Sequence, residues 1–236
     1  MEITIYIICF NESVLLPFAL KWYRDRFPAA KFVIYDNHST DNTKTIAEES
    51  GCTIVPFDTN NQISDMMYLR IKDNCWKSAE TSWVIVCDAD ELLEITEEQL
   101  RAEDNMFTTV IKAEGYNMIN LNDDLNIAGI DRGIRADYRF YDKTLLFKKS
   151  VIQEINYNVG AHMCRPVGEV RYSSNTYRML HYNNLSPDYK VARYKMYAER
   201  LSEDNKINSY GGQYLHPEGA IRSEFEHNRN NAIKLL

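Results

Sequence analysis

Short apolar runs alternate with amphipathic stretches along the first 95 residues of the chain. The runs cover residues 3–9, 31–35, 52–57 and 83–87, and the stretches between them carry apolar residues at helical spacing. Continuous apolar runs of this length are typical of parallel strands that are covered on both faces. The order strand, helix, strand, helix, strand, helix, strand therefore predicts an α/β domain with a parallel sheet and right-handed crossovers. Pro56 places the third strand at or near an edge of that sheet.

Polar side chains follow each of these four runs. They are Asn11 with Glu12, then Asp36, Asp58 and Asp88. The carboxyl ends of parallel strands meet at one edge of a sheet, and open α/β sheets bind ligands in the crevice beyond that edge. The sequence therefore predicts one acidic, amide-rich rim that binds a ligand.

Asp88 and Asp90 are the pair of side chains in this rim that most directly indicates a chemistry. On an extended chain, residues that are two apart point to the same side, with Ala89 turned away. Two carboxylates held close together repel each other unless a cation lies between them. Oxygen ligands favour a hard ion, so we predict a Mg²⁺ or Mn²⁺ site that also contacts phosphate.

The middle of the chain is less regular. The residues from Thr96 to Gln99 match a capping box and predict a short helix. Residues 115–137 are polar, aromatic and rich in Asn, Asp and Gly, and we predict an acceptor-binding loop there. Further strands are predicted at residues 106–112, 143–147, 155–159 and 177–180.

A last helix is predicted to begin at Ser186 and Pro187, an N-cap followed by proline at the first helical position. Its apolar face comprises Val191, Tyr194, Tyr197 and Leu201. A basic face, which we expect to be solvated or else to contact pyrophosphate or anionic lipid, comprises Lys190, Arg193, Lys195 and Arg200. The predicted organisation is a domain of residues 1–185 and a C-terminal helical segment of residues 186–236.

Composition and charge narrow the function. The 236 residues are 44% hydrophobic and 26% charged, which fits an ordinary globular protein. The net charge is −7, and residues 1–150 hold 16 basic against 25 acidic side chains, which argues against nucleic acid as the main partner. No run approaches the ~18 apolar residues of a membrane span, and the start lacks the basic region of a signal peptide. The five cysteines are scattered, and we expect reduced thiols in a cytoplasmic protein.

Several common nucleotide-binding and hydrolase motifs are absent from the sequence. The first turn, CFNESVLL, has no glycine, which excludes the dinucleotide-binding loop of a Rossmann domain. The chain also has neither a P-loop nor the GxSxG elbow of the α/β-hydrolases.

Three segments of the first 95 residues resemble the family 2-type glycosyltransferases with the GT-A fold. They read IYIICFNESVLLPFALKWY, VIYDNHSTDNT and WVIVCDADELL, in the family's order. The form DADE is most similar to the branch of small bacterial and family 92-like enzymes. The resemblance implies a Rossmann-like, mostly parallel central sheet flanked by helices. It also implies a nucleotide-sugar half at residues 1–95 and an acceptor half at residues 96–185.

The resemblance further implies roles for individual residues. Asp36 would accept a hydrogen bond from the base, and Asp88 would meet the ribose or the metal. Asp90 would act in catalysis by ligating the ion that bridges the phosphates, with His181 or, as its rival, His162 as a further metal ligand. The donor nucleotide would be bound by Phe10, Asn11, Glu12, Asp36, Asn37, Ser39, Arg70, Asp88 and Ala89.

Inverting transfer, which is usual for this family, needs a base on the acceptor hydroxyl. The Glu-Asp pair that serves elsewhere in the family is absent here. Glu154 is the first candidate because it lies beside the predicted strand that leads to His162. The other candidates for the base are Glu169, Asp123 and Asp124.

The sequence thus predicts a metal-dependent glycosyltransferase that moves a sugar from a UDP- or GDP-linked donor to a glycan or lipid-linked acceptor. Such an activity would serve the biosynthesis of cell-surface polysaccharide. We expect no transmembrane segment in the chain, and a peripheral contact with a membrane is possible. The alternatives are a sugar-1-phosphate nucleotidyltransferase, which would need a glycine-rich basic loop after the first strand, and a nucleotide-binding module without catalysis.

Overall fold

A mixed sheet forms the centre of this computed structural model, which describes residues 1–122, 124–135 and 141–236. Its parallel half has the predicted strands in the order β3-β2-β1-β4. These strands are β1 (Ile3–Cys9), β2 (Lys31–Asp36), β3 (Thr53–Pro56) and β4 (Trp83–Asp88). The helices that connect them are α1 (Leu16–Arg26), α2 (Thr43–Glu49) and α3 (Asp65–Asn74).

The second half of the sheet continues from β4 and is mostly antiparallel. Beyond β4 the order is β8-β6-β7-β12, and β11 joins β5 to β6. The remaining strands of the main sheet are β5 (Glu91–Glu94), β6 (Val110–Ile119), β7 (Arg132–Arg135), β8 (Lys143–Lys148), β11 (Tyr177–Asn184) and β12 (Ile233–Lys234). A separate small sheet pairs β9 (Ile152–Glu154) with β10 (Val167–Gly168). The later helices are α4 (Glu97–Asn105), α5 (Pro187–Arg200), α6 (Glu203–Ile207) and α7 (Glu218–Asn231).

The apolar runs form strands because both of their faces are covered. Ile5 and Ile7 of β1 pack into a core cluster that includes residues of α1, whereas Tyr6 faces the opposite cluster with Trp76 and Phe147. Burying one such large side chain contributes roughly 1.5–3 kcal/mol, so this packing accounts for a large part of the driving force. The predicted fold class is confirmed: the chain is α/β, with a central sheet flanked by helices.

Local signals in the sequence are also confirmed. Thr96 and Gln99 form the predicted capping box at the start of α4. Ser186 caps α5 by accepting a hydrogen bond from the Tyr189 amide at 3.1 Å. The strand that holds Pro56 pairs only with β2 among the described strands and lies at an edge of the sheet.

Three predictions of local structure are wrong in their bounds. The strand predicted at 106–112 is β6, and it begins at Val110 because Phe107 has a positive φ of 61° just after α4. Much of the predicted loop at 115–137 belongs to β6 and β7, which pair with each other. The strand predicted at 155–159 lies earlier in the chain, as β9, and ends at Glu154. The chain turns away at Asn156, which has a φ of 51°. Residues 123, 136 and 137 of the predicted loop lie outside the described part.

The C-terminal segment folds back onto the sheet. Its helix α5 packs against α7, and its last strand, β12, adds to the sheet beside β7. Side chains of this segment also reach the carboxyl ends of β1 and β4, as described below. Across residues 1–122, 124–135 and 141–236, the helices are too short or too polar for any of them to span a bilayer.

Candidate active site

A cavity of about 700 Å³ lies at the carboxyl ends of β1 and β4. Of the side chains predicted to form the rim, Glu12 and Asp88 line this cavity, whereas Asn11, Asp36 and Asp58 do not. The strand ends contribute Phe10, Glu12, Asp88, Asp90 and Glu91 to its lining. The other walls come from α3, from residues 159–162 and from the C-terminal segment.

The chain turns sharply between β4 and β5, and this turn separates the two aspartates. Asp88 ends β4, residues 89 and 90 form the turn, and Glu91 begins β5. The Asp88 carboxylate accepts a hydrogen bond from the Lys72 ammonium at 2.7 Å. Asp90 instead faces Arg193 and His181. The interpretation that Asp88 and Asp90 share one side of an extended chain is therefore wrong, because the backbone is not extended there.

A different set of side chains can hold a metal ion. The ligand atoms of Asp90, Glu91 and His181 all lie within 4.8 Å of one another. Strand register explains why these residues meet: β11 lies between β5 and β6, with His181 opposite Glu91 on one side and Asn117 on the other. Carboxylate oxygens with one imidazole nitrogen suit Mn²⁺.

The hydrogen bonding of His181 fits a cation at this cluster. Its Nδ1 lies 3.1 Å from the amide oxygen of Asn117, which can only accept, so Nδ1 carries the proton. In the neutral ring, Nε2 then presents a lone pair to the Asp90 carboxylate at 3.4 Å. Two lone pairs facing each other are favourable only with a proton or a metal ion between them. The donor set therefore fits a divalent metal.

Arg193 of α5 connects this cluster to the end of β1. Its guanidinium donates to both oxygens of Glu12, at 2.8 and 2.7 Å, and to Asp90 at 3.2 Å. The spacing of Tyr189, Arg193 and Tyr197 puts all three on one face of the helix, and that face is turned to the cavity wall. The expectation that the basic face of this helix is solvated is wrong for Arg193, and also for Lys190 and Arg200, which are buried.

The carboxylates respond differently to this environment. Burial raises the pKa of Glu12 to about 7, although the nearby Arg193 acts in the opposite direction. Burial would also raise the pKa of Asp90, but interaction with a protonated His181, both by charge and by hydrogen bond, and the charge of Arg193 outweigh burial and hold that pKa below the usual range. Asp90 is thus ionised at neutral pH and available as a ligand.

Two lysines neutralise the other carboxylates of the turn. Lys143, the first residue of β8, forms a buried ion pair with Glu91. Lys72 projects from α3 to Asp88; burial alone would lower the pKa of this lysine, but Asp88 and Glu91 raise it well above the ordinary value. Lys72 therefore stays charged inside the cavity.

His162 also lines the cavity, but it is not part of the Asp90 cluster. Burial, with help from Lys143, lowers its pKa to about 3, so its ring is neutral at physiological pH. Its Nδ1 is buried and has no hydrogen-bond partner among the described residues. The structure therefore brings His181, rather than His162, to the candidate metal ligands.

Several residues predicted to bind the donor make hydrogen bonds within the loops that follow β1 and β2. Asn11 accepts a hydrogen bond from the Thr40 amide at 2.8 Å, and Asp36 accepts one from the Ser39 amide at 3.2 Å. Asn37 donates to Thr59. Of the predicted donor-binding residues, those that do not line the cavity are Asn11, Asp36, Asn37, Ser39, Arg70 and Ala89.

Arg70 is exposed on the far side of α3, whereas Lys72, two residues later, enters the cavity. Ala89 is buried in the core cluster because the turn directs its methyl group inward.

The predicted bases also lie elsewhere. Glu154 is on β9, in the small second sheet, where it pairs with Lys77 at 2.6 Å. Neither Glu154 nor Glu169 nor Asp124 lines the cavity, and Asp123 lies outside the described residues. A carboxylate that the sequence interpretation missed, Glu224 of α7, does line it.

Comparisons with known proteins give limited likenesses. No family model matches the chain. The chain is similar to Protein RfbJ of Shigella flexneri, with 32% identity over 53 residues, which cover 22% of this chain and 41% of RfbJ. The match therefore spans less than half the length of that relative.

Among solved structures, the chain is similar to TarS of S. aureus, at 16% identity and a TM-score of 0.48 over 91% of this chain and 42% of TarS. Residues 1–349 of TarS in complex with UDP-GlcNAc match at 15% identity and a TM-score of 0.46, over 98% of this chain and 74% of that one. The chain is also similar to the mannosyltransferase PcManGT from Pyrobaculum calidifontis in complex with GDP-Man and Mn²⁺. The identity is 11% and the TM-score 0.46, over 94% of this chain and 73% of PcManGT. Likenesses of this size do not assign a function to the chain.

Proposed function

We propose that the chain is a metal-dependent glycosyltransferase that moves a sugar from a UDP- or GDP-linked donor to a glycan or lipid-linked acceptor. The observation that carries the proposal is the cluster of Asp90, Glu91 and His181 inside a cavity at the carboxyl ends of the parallel strands. Such strand ends are where open α/β sheets bind nucleotides. The TarS and PcManGT structures are complexes with UDP-GlcNAc and GDP-Man, and we propose donors of the same two classes for this chain.

Asp90, Glu91 and His181 would hold Mn²⁺ or Mg²⁺, and the ion when bound would offset the charge of a departing nucleoside diphosphate. The chain's own residues would shape the rest of the site. Lys72 and Lys143 keep the turn after β4 in place through their ion pairs with Asp88 and Glu91. Phe10 and Tyr68, which also line the cavity, would offer aromatic faces to a nucleobase.

Transfer with inversion would need a base on the acceptor side of the cavity. Glu224 is the candidate for this role because it lines the cavity with a side chain that is 48% exposed, although its carboxylate also accepts a hydrogen bond from the Lys190 ammonium at 3.0 Å. The other cavity carboxylates near the turn after β4 are paired inside the wall with Lys72, Lys143 or Arg193. Glu154, the first candidate from the sequence, lies outside the cavity, and its position does not support a role as the base.

A screen of nucleotide-sugars for hydrolysis in the presence of Mn²⁺ tests this function. We expect slow hydrolysis of one donor, and a loss of about 100-fold on addition of EDTA or in D90N. The variant E154Q, which alters a surface ion pair outside the cavity, is the matched control and should keep its activity. Binding of nucleotide without any hydrolysis would favour a non-catalytic module. Release of pyrophosphate from a nucleoside triphosphate and a sugar phosphate would favour a nucleotidyltransferase.

A further inference from the structure

The charges around the turn after β4 are unevenly shared. Asp88 has its own partner in Lys72, and Glu91 has its own in Lys143. The remaining carboxylates, Glu12 and Asp90, share the guanidinium of Arg193, and Asp90 also faces Nε2 of His181 at 3.4 Å. Glu12, Asp90 and Arg193 are almost completely buried, with side chains at most 10% exposed.

The two contacts of Arg193 differ in strength. Glu12 receives two hydrogen bonds, one to each oxygen, whereas Asp90 receives one longer bond at 3.2 Å. Paired, parallel N–H···O bonds between a guanidinium and a carboxylate are the stronger arrangement. A cation arriving at Asp90 can therefore replace the single contact while Arg193 stays on Glu12.

We propose that Arg193 takes the place of the metal at Asp90 in the metal-free protein and, by competing for that carboxylate, sets the affinity of the site for divalent cations. This inference rests on the proposed function, since it assigns a metal to Asp90, Glu91 and His181. Arg193 is then a positioning residue that acts through Asp90. Its charge opposes a divalent ion a few ångströms away, and such like-charge repulsion is strong in a buried site.

The competition also links the metal to the C-terminal segment. Arg193 connects α5 to the turn after β4 through its contact with Asp90. Metal binding at Asp90 would remove that contact. Linkage between two binding events is reciprocal. Any change that holds α5 more tightly to Asp90 therefore weakens metal binding at Asp90. The segment that covers the cavity thereby responds to occupancy of the metal site.

Titration of the full-length chain with Mn²⁺ alone, followed by the electron paramagnetic resonance signal of free Mn²⁺, tests this competition. Removing the charge in R193Q should raise the affinity for Mn²⁺ by about tenfold or more, since a nearby positive charge is lost. The charge-retaining R193K should stay close to the wild type, and so should K195Q, which removes an exposed charge from the same helix. Loss of a merely structural residue would lower the affinity. An unchanged or lower affinity in R193Q overturns the proposal.

A second variant guards against misfolding, because R193Q leaves Glu12 buried without its partner. The double variant E12Q/R193Q removes both charges, keeps the packing, and should still bind Mn²⁺ at least about threefold more tightly than the wild type. Equal binding by the wild type and both variants would overturn the competition and leave the metal site standing. Absence of Mn²⁺ binding in all of them would instead contradict the metal site of the proposed function, and the competition with it.

Discussion

The guanidinium of Arg193 and the carboxylate of Glu12 form a buried ion pair with two hydrogen bonds, at 2.8 and 2.7 Å, between residues 181 positions apart. This pair joins the C-terminal helix α5 to the end of β1. It closes one wall of the cavity and presents the same guanidinium to Asp90. The candidate site is thus assembled from both ends of the chain.

The Glu12–Arg193 pair should show a large coupling energy. In a double-mutant cycle with E12Q and R193Q, we expect an interaction of about 2–3 kcal/mol, because each single variant leaves a buried charge without its partner. Urea unfolding of the four proteins measures this coupling. The exposed pair of Lys21 and Asp25 on α1 is the control, and its cycle should give less than about 0.5 kcal/mol. Equal coupling energies in the two cycles would contradict a strong buried ion pair between Glu12 and Arg193.

His162 should make the stability depend on pH. Its pKa falls from an ordinary value of about 6.5 in the unfolded chain to about 3 in the folded protein, since burial disfavours the charged ring. The unfolded chain binds more protons between these values, so this contribution to stability is complete above pH 6.5 and is lost as the pH falls toward 3. Thermal unfolding at several pH values should show a flatter dependence for H162Q than for the wild type. H216Q, at an exposed histidine, should leave the slope unchanged, and an unchanged slope in H162Q would oppose this account.

Gly115 should tolerate no side chain. A Cβ at this position of β6 would lie 2.2 Å from the backbone oxygen of Tyr141, a residue of the cavity wall. We expect G115A to lower the free energy of unfolding by about 1–3 kcal/mol, because the wall must move to admit the methyl group. G219A provides the control: its Cβ would meet nothing within 4 Å, and it lies within α7. Denaturant unfolding should show that G219A is neutral or more stable by about 0.5–1 kcal/mol.

Asp88 and Asp90 should differ in their effect on metal binding. D90N should lower the affinity for Mn²⁺ by about 100-fold, because Asp90 belongs to the candidate ligand cluster. D88N should change it by no more than about threefold, since that carboxylate faces Lys72. Calorimetric titration with Mn²⁺ distinguishes the two variants. Equal losses of Mn²⁺ affinity in D88N and D90N would support the interpretation in which both aspartates bind one ion.

The strands and caps could be predicted from sequence because their signals are local. The apolar runs of β1, β2 and β4, the capping box at Thr96 and the edge position of Pro56 each depend on a few neighbouring residues. The rim at the strand ends followed from the parallel topology alone. A cavity lies at the carboxyl ends of β1 and β4, although of the predicted rim only Glu12 and Asp88 line it.

The chemistry of the site depended on contacts that no local pattern reports. Helical periodicity places Arg193 on a helix but does not show that Glu12 lies opposite it. The spacing of Asp88 and Asp90 indicates convergence only where the chain is extended, and the chain turns between them. Glu154 was predicted to lie beside a strand that leads to His162, but it is the last residue of β9, which belongs to a sheet away from the cavity.

Calorimetric titration of the wild-type chain with UDP and with GDP, in Mn²⁺ and in EDTA, tests the central claim most directly. A cation at Asp90, Glu91 and His181 would bring opposite charge to the diphosphate, so one nucleotide should bind at least about tenfold more weakly in EDTA. The variant H181A should bind that nucleotide as weakly in Mn²⁺ as the wild type does in EDTA. Equal affinity of the wild type with and without metal would contradict the account.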